Sequence, residues 1–268
     1  MTEEKKEALA AIEARKELIC NVADHIWEYA ELSLQEFKSA ALYCEVLEKE
    51  GFRVKKGISG IETAFSASYG SGRPVIGLLA EYDALPNMSQ KAGETKPCPI
   101  EGKKYGHACG HSALAAGTVG TAIIAKEYLK ETGKTGTVKI FGCPAEETGF
   151  GKSFMVKKGC FEGLDMCFTW HPMDRTTLWG RTLAYYKVRF DFKGITAHAG
   201  GAPELGRSAL DDRVMERQYT ASTDVGDVSY IVPTTQYSGT TSIPGTGLHT
   251  WQFAAQVGTS IGDKGSIA

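Results

Sequence analysis

The sequence predicts an α/β fold, a mostly parallel sheet with helices on both faces. Three observations carry this expectation. Residues 74–80 (PVIGLLA) are nearly all apolar, as a strand covered on both faces must be, and residues 137–142 (TVKIFG) read as another buried strand. Segments with apolar residues at helical spacing alternate with these runs, the pattern of strand–helix–strand units. The strings richest in His, Cys and Glu follow a predicted strand or open a predicted helix, where such folds keep their ligands.

Taken in order, residues 3–30 place Leu9, Ile12, Leu18, Val22, Ile26 and Tyr29 at helical spacing on a charged background. A second helix spans 33–50 and stops at Gly51. Residues 52–55 and 64–69 read as strands, with Gly57, Gly60, Gly70 and Gly72 marking turns. The buried strand 74–80 follows, then a polar loop bearing Pro and Gly over 86–106. A long helix covers 113–131, and strand 137–142 ends at Pro144. A helix around 152–158 leads to strand 165–170, which ends at His171. Residues 185–192 (YYKVRFDF) alternate more strictly and begin a part of different character. Residues 213–224 are polar and aperiodic, 227–232 are compatible with a strand, 238–247 are rich in Gly, Ser, Thr and Pro, and a helix starts after His249.

The composition bounds the function. A chain of 268 residues makes one large domain or two ordinary ones. With 42% hydrophobic and 23% charged residues it is an ordinary globular protein. Its net charge of -2, from 30 basic and 32 acidic residues, leaves no footprint for nucleic acid and no basic run for a membrane surface. No apolar run approaches the roughly 18–20 residues a spanning helix needs. The N-terminus is charged, without an apolar signal core, so the cytoplasm is the expected compartment. Seven cysteines cannot all pair within the chain. Cys20, Cys44, Cys160 and Cys167 sit among apolar residues and read as small buried hydrophobes. Cys109 differs, because histidines flank it in a Gly-containing turn.

Four strings carry metal-binding residue types: HACGH at 107–111, PAEE at 144–147, TWHP at 169–172 and LHTW at 248–251. Thiolate, imidazole and carboxylate together suit zinc, cobalt or manganese rather than calcium or magnesium. Cys109 and His111 are two apart, so in an extended turn their side chains share one side. The helix beginning just after them is expected to help hold Cys109 as a thiolate. Adjacent glutamates in a turn point in different directions. One of Glu146 and Glu147 can therefore bind metal while the other accepts a proton from a water the metal acidifies. Each string alone has a plainer explanation: a solvated Glu pair, a core histidine at His171, packing at His249. Their joint occurrence makes a metallohydrolase the leading reading. His107 is expected to be structural, because Cys109 and His111 already supply the pair.

HACGH before an apolar helix, PAEE after a strand, TWHP, GITAHAG with GRSALD, STDVGDVS and LHTWQ together resemble the aminoacylase and carboxypeptidase family of two-metal peptidases. The similarity is greatest to its amidohydrolase branch, and WEYAELSLQEF and LLAEYDALP extend it toward the N-terminus. The resemblance implies a zinc-peptidase-like catalytic domain with two divalent ions (zinc or manganese, possibly cobalt). The implied ligands are Cys109, His111, Glu147, His171 and His249, with Cys109 bridging and Glu146 as general base. It implies that His198 is the lid-domain histidine that stabilises the oxyanion, usually in the partner subunit of a dimer. Arg207 is a weaker candidate for holding a substrate carboxylate. Glu81 and Asp83 fall where related peptidases carry a His-x-Asp element, and Glu81 fits the branch in which the cysteine motif supplies the metal. The implied reaction is hydrolysis of the amide of an N-acyl or N-aroyl amino acid, aminobenzoyl-glutamate-like compounds foremost. The implied assembly is a homodimer, or a hetero-oligomer with a related subunit.

One departure stands out. Residues 208–212 (SALDD) run within about ten residues into STDVGD, so most of a lid domain of roughly 100–150 residues is absent at this seam. The helix after His249 also looks cut short. A deletion, a fragment, and a chain written with segments left out all give this pattern. The expected organisation is a catalytic domain over 1–183, a truncated α+β lid remnant over 184–212, and the returning catalytic domain over 213–268. Two other readings stay open: a lid-deleted remnant that binds metal or a partner without turnover, and a metal-free binding domain with structural histidines.

Overall fold

The computed structural model describes residues 2–178 and 222–268. Apart from Ser222 and Thr223, these belong to one unit, Met1–Arg181 with Asp224–Ala268. The lid remnant expected over 184–212, including the alternating run at 185–192, lies outside the described residues, as do His198 and Arg207.

Helix α1 (Glu3–Tyr29) and helix α2 (Phe37–Lys49) open the chain. They lead into β1 (Arg53–Lys56), β2 (Phe65–Ser71) and β3 (Val75–Ala80). Two short strands, β4 (Leu85–Pro86) and β5 (Tyr105–Gly106), pair across the loop expected at 86–106. Helix α3 (His111–Thr132) and β6 (Gly136–Gly142) follow, then α4 (Gly151–Lys157), β7 (Met166–Met173) and β8 (Thr177–Leu178). After the undescribed residues come the short helix α5 (Val225–Ser229), β9 (Thr234–Thr240), α6 (Trp251–Val257) and α7 (Ser260–Ile267).

The main sheet has the order β1-β2-β6-β3-β7-β9-β8. Its centre, β6-β3-β7-β9, is parallel, and β1, β2 and β8 pair antiparallel at the two sides. The expected mostly parallel sheet with helices on both faces is therefore what the chain forms. The strand period of two decides which residue meets which layer. Leu78 and Ala80 pack with Val138 and Ile140 against α1, α2 and α3, while Leu79 and Phe141 pack against Met155 of α4 and Val225 and Val228 of α5. Helix α3 is buried for most of its length, which explains why its sequence is apolar nearly all round. Among the described residues, no helix is long and apolar enough to cross a membrane.

Two sequence expectations are corrected. Residues 227–232 do not form a strand. Val225, Val228 and Val232 are spaced three and four apart and all point into one core cluster, which is the helical period. The strand instead lies at Thr234–Thr240, running into the stretch rich in Gly, Ser, Thr and Pro, and it is held by parallel backbone pairing to β7 rather than by apolar side chains. Cys44 and Cys167 are buried as expected, but Cys20 and Cys160 are only half-buried.

Candidate metal centre

The parallel strands all deliver their carboxyl ends to one place. Glu81, Tyr82 and Asp83 follow β3, the turn from Cys143 to Phe150 follows β6, and His171 lies near the end of β7, inside the strand rather than just beyond it. Residue His111 is the first of α3, with Gly110 as its cap at φ 79°. A Cβ at Gly110 would stand 2.6 Å from Pro172 Cγ and 2.9 Å from Phe253 Cε1, so both the left-handed backbone and the packing require glycine. We expect Gly110→Ala to lower unfolding stability by about 1–3 kcal/mol in urea titration. An unchanged midpoint would contradict this account of the turn.

Two other left-handed residues shape the site. Ala145 (φ 61°) precedes the glutamates, and its N–H donates to Glu36 Oε1 at 3.0 Å, while Thr63 Oγ1 donates to Glu36 Oε2 at 2.9 Å. His249 (φ 57°) donates its backbone N–H to the Ala108 carbonyl at 2.8 Å, which ties the returning chain to the cysteine turn.

The five residues expected as ligands come together in two groups that share Cys109: Cys109 with His111 and His171, and Cys109 with Glu147 and His249. In each group the ligand atoms lie within 4.8 Å of one another. Cys109 Sγ stands 3.6 Å from His171 Nε2, and His249 Nε2 stands 3.4 Å from Glu147 Oε2. A third group joins His111 to Glu81 and Glu146. His111 Nε2, Glu147 Oε1 and Glu81 Oε2 are buried without a hydrogen-bond partner. Buried polar atoms left unpaired cost free energy, and each of these three residues belongs to one of the groups of potential metal ligands. The donor set therefore fits divalent metal ions. Among the five, His249 is the most open, with a side chain 51% exposed.

Behind these residues lies a layer that orients them. Asp83 Oδ1 is 3.0 Å from His111 Nδ1, so that nitrogen donates and Nε2 is left as the ligand atom. Asp83 Oδ2 accepts from the Glu147 backbone N–H at 3.0 Å and from Ser33 Oγ at 2.8 Å. One carboxylate thus sets the positions of two ligand residues at once.

The electrostatics follow from burial. Burial, reinforced by the charge of Glu81, pushes the Glu146 carboxyl up to about 8, and burial raises Glu147 as well. His111 is raised despite its burial, by Cys109 and Asp83, whereas burial lowers His171 to about 4. Burial pushes the Cys109 thiol up, against His111, which lowers it, so in the metal-free chain a helix N-terminus is not enough to hold the thiolate expected there.

His107 faces away from this space and bonds the Ile26 carbonyl through Nε2 at 2.9 Å, in keeping with a structural role. Burial lowers it to about 3. Its unfolded value is near ~6.5, so the unfolded chain binds a proton that the folded chain refuses. The stability this histidine contributes is present above pH ~6.5 and is lost as pH falls toward 3, by about 1.4 kcal/mol per pH unit. In urea unfolding of metal-free protein from pH 7 to 5, the stability difference between wild type and His107→Asn should change with that slope, because the opposite-signed contribution of Glu146 and the like-signed one of His171 are common to both. An equal slope in the variant would contradict the assignment.

Sequence reasoning missed Glu36, Lys152 and Asp224. Glu36 and Lys152 stand in helical stretches that read as polar, and no periodicity distinguishes a buried charge from a solvated one. All three are almost fully buried.

Comparison with known proteins follows the same outline. The family model described as Peptidase family M20/M25/M40 matches residues 77–254. The chain is 45% identical over 202 residues to one of the subunits of p-aminobenzoyl-glutamate hydrolase from Escherichia coli, covering 75% of this chain and 42% of that protein. It is 29% identical over 209 residues to N-acetyl-L-cysteine deacetylase of Bacillus subtilis, covering 73% and 48%. The chain thus spans less than half the length of these curated relatives. Its fold matches the crystal structure of a dinuclear metal binding M20 peptidase from Bacillus subtilis, with a TM-score of 0.62 at 16% identity over 95% of this chain and 98% of that one.

Proposed function

The chain belongs to peptidase family M20/M25/M40, and from that premise we propose that it is a metal-dependent amidohydrolase cleaving the amide of N-acyl or N-aroyl amino acids. The observation that supports this most is the pair of ligand groups sharing Cys109, with Glu146 beside them and outside both. The likeness to the p-aminobenzoyl-glutamate hydrolase chain favours aminobenzoyl-glutamate-like substrates.

On this reading Cys109, His111 and His171 hold one ion, and Cys109, Glu147 and His249 the other. Bound divalent ions supply an acidified water and polarisation of the amide carbonyl. The proton work falls to Glu146. Its place outside both ligand groups leaves its carboxylate free to take a proton from water and return it to the leaving nitrogen. Asp83 holds the His111 ring and the Glu147 backbone while this happens. His198 is proposed as the oxyanion donor and Arg207 as a partner for the substrate carboxylate, each from the segment outside the described residues. Residues 184–212 are proposed as the shortened lid, between catalytic parts 1–183 and 213–268. The proposed setting is cytoplasmic, in a homodimer or in a hetero-oligomer with a related subunit.

The test is release of p-aminobenzoate from p-aminobenzoyl-glutamate by the manganese- or zinc-loaded chain. Hydrolysis that a chelator abolishes and metal restores is expected. Metal uptake without any hydrolysis of acyl-amino acids would contradict the proposed activity and favour a non-turnover remnant.

A further inference from the structure

Resting on the two-ion reading, we propose that Glu81 is an additional ligand to the ion held by His111, presented to it by a buried clamp of Lys152 and Asp224. Glu81 is 1% exposed and directly follows β3. Its Oε1 is 2.6 Å from Lys152 Nζ, which is also 2.5 Å from Asp224 Oδ1. The Lys152 backbone N–H donates to Asp224 Oδ2 at 2.8 Å, so the returning segment grips both ends of the lysine residue. Lys152 itself has no exposed surface, and its ammonium has no role among the ligands or in the proton transfer assigned to Glu146.

This arrangement pairs only half of the Glu81 carboxylate. Oε2 is buried, has no hydrogen-bond partner and lies 3.3 Å from His111 Nε2. Because His111 Nδ1 is engaged by Asp83, Nε2 is the ring atom that faces that oxygen. In the metal-free chain a proton on Nε2 makes this contact an ion pair, and a cation bound between the same two atoms would take that proton's place. The clamp holds one Glu81 oxygen and leaves the other among donors that fit a cation, together with Glu146. With Glu81 in the ligand position, Glu146 keeps its freedom to carry a proton.

The sequence expectation that Glu81 stands aside while the cysteine motif supplies the metal would then be incomplete. Glu81 would add an oxygen to the sulfur and nitrogen donors at one of the two ions. The other ion, between Cys109, Glu147 and His249, would be unaffected by its loss.

The test uses the full chain stripped with chelator and reloaded with cobalt(II), as wild type, Glu81→Gln and Lys152→Met. Metal content, cobalt affinity against a competing chelator and the visible absorption are measured. Wild type should take up two ions. Glu81→Gln should weaken one of them by about 10–100-fold or more and leave the other unchanged. Its d–d absorption should intensify, as expected when a coordination number falls. Lys152→Met should weaken the same ion. If that variant fails to fold, Glu81→Gln decides alone, since it preserves the shape of the side chain. Wild-type affinities and spectrum in Glu81→Gln would overturn this inference while leaving the two-ion reading intact. No cobalt uptake by wild type would overturn both.

Discussion

Replacing Glu146 with Gln is expected to lower turnover by about 10²–10⁴-fold, the usual worth of a positioned general base, while leaving bound metal unchanged. The reason is placement. Glu146 lies in neither ligand group that contains Cys109, and its nearest candidate partners are His111 Nε2 at 3.8 Å and Glu81. Glutamine keeps the volume and one acceptor oxygen but cannot take a proton. Glu147→Gln should behave oppositely, because Glu147 Oε2 faces His249 and Oε1 is buried without a partner. That variant should lose metal first and activity as a consequence. Measuring kcat and metal content on both variants separates the roles. Undiminished turnover in Glu146→Gln, or metal loss there without loss in Glu147→Gln, would reverse the division of labour proposed for the pair.

Cys109→Ser is expected to have the largest effect on metal, because Cys109 is the one residue common to the two ligand groups. A serine hydroxyl is a harder and far less acidic donor than a thiol, so it does not replace a thiolate between two cations. Both affinities should fall by more than the ~10–100-fold that loss of a supporting outer-layer bond costs. By contrast, His171→Ala and His249→Ala should each weaken a single ion, since each belongs to one group. Elemental analysis after gel filtration reads this directly. A Cys109→Ser protein that retains two tightly held ions would mean that the sulfur is structural and that the groups do not share it.

How much of this was legible in the sequence depends on the kind of signal. The apolar runs at 74–80 and 137–142 identified β3 and β6 because central parallel strands have no wet face to interrupt the pattern. Strand β9 escaped because its sequence, TTQYSGT, has little apolar character, and its pairing is a backbone matter. Residues 227–232 misled because a short segment with Val228, Tyr230, Ile231 and Val232 is as compatible with a helical turn as with a strand. The ligand set was readable because thiol and imidazole side chains are rare and their strings follow strand ends. The layer behind it was not. Glu36, Lys152 and Asp224 are charged residues in polar-looking stretches, and only the fold shows that Glu36 pins Ala145 and that Lys152 joins Glu81 to Asp224. The state of Cys109 was hard to read for a related reason: a helix N-terminus is visible in a sequence, whereas the depth of burial that opposes it is not.

All of these expectations rest on a two-ion centre built around one shared sulfur. Native mass spectrometry of the intact chain, stripped and then reloaded with zinc or manganese, measures that centre without passing through activity. Wild type should carry two ions per chain, with both lost or much weakened in Cys109→Ser. A wild-type chain that carries no ion under these conditions would contradict the two-ion centre.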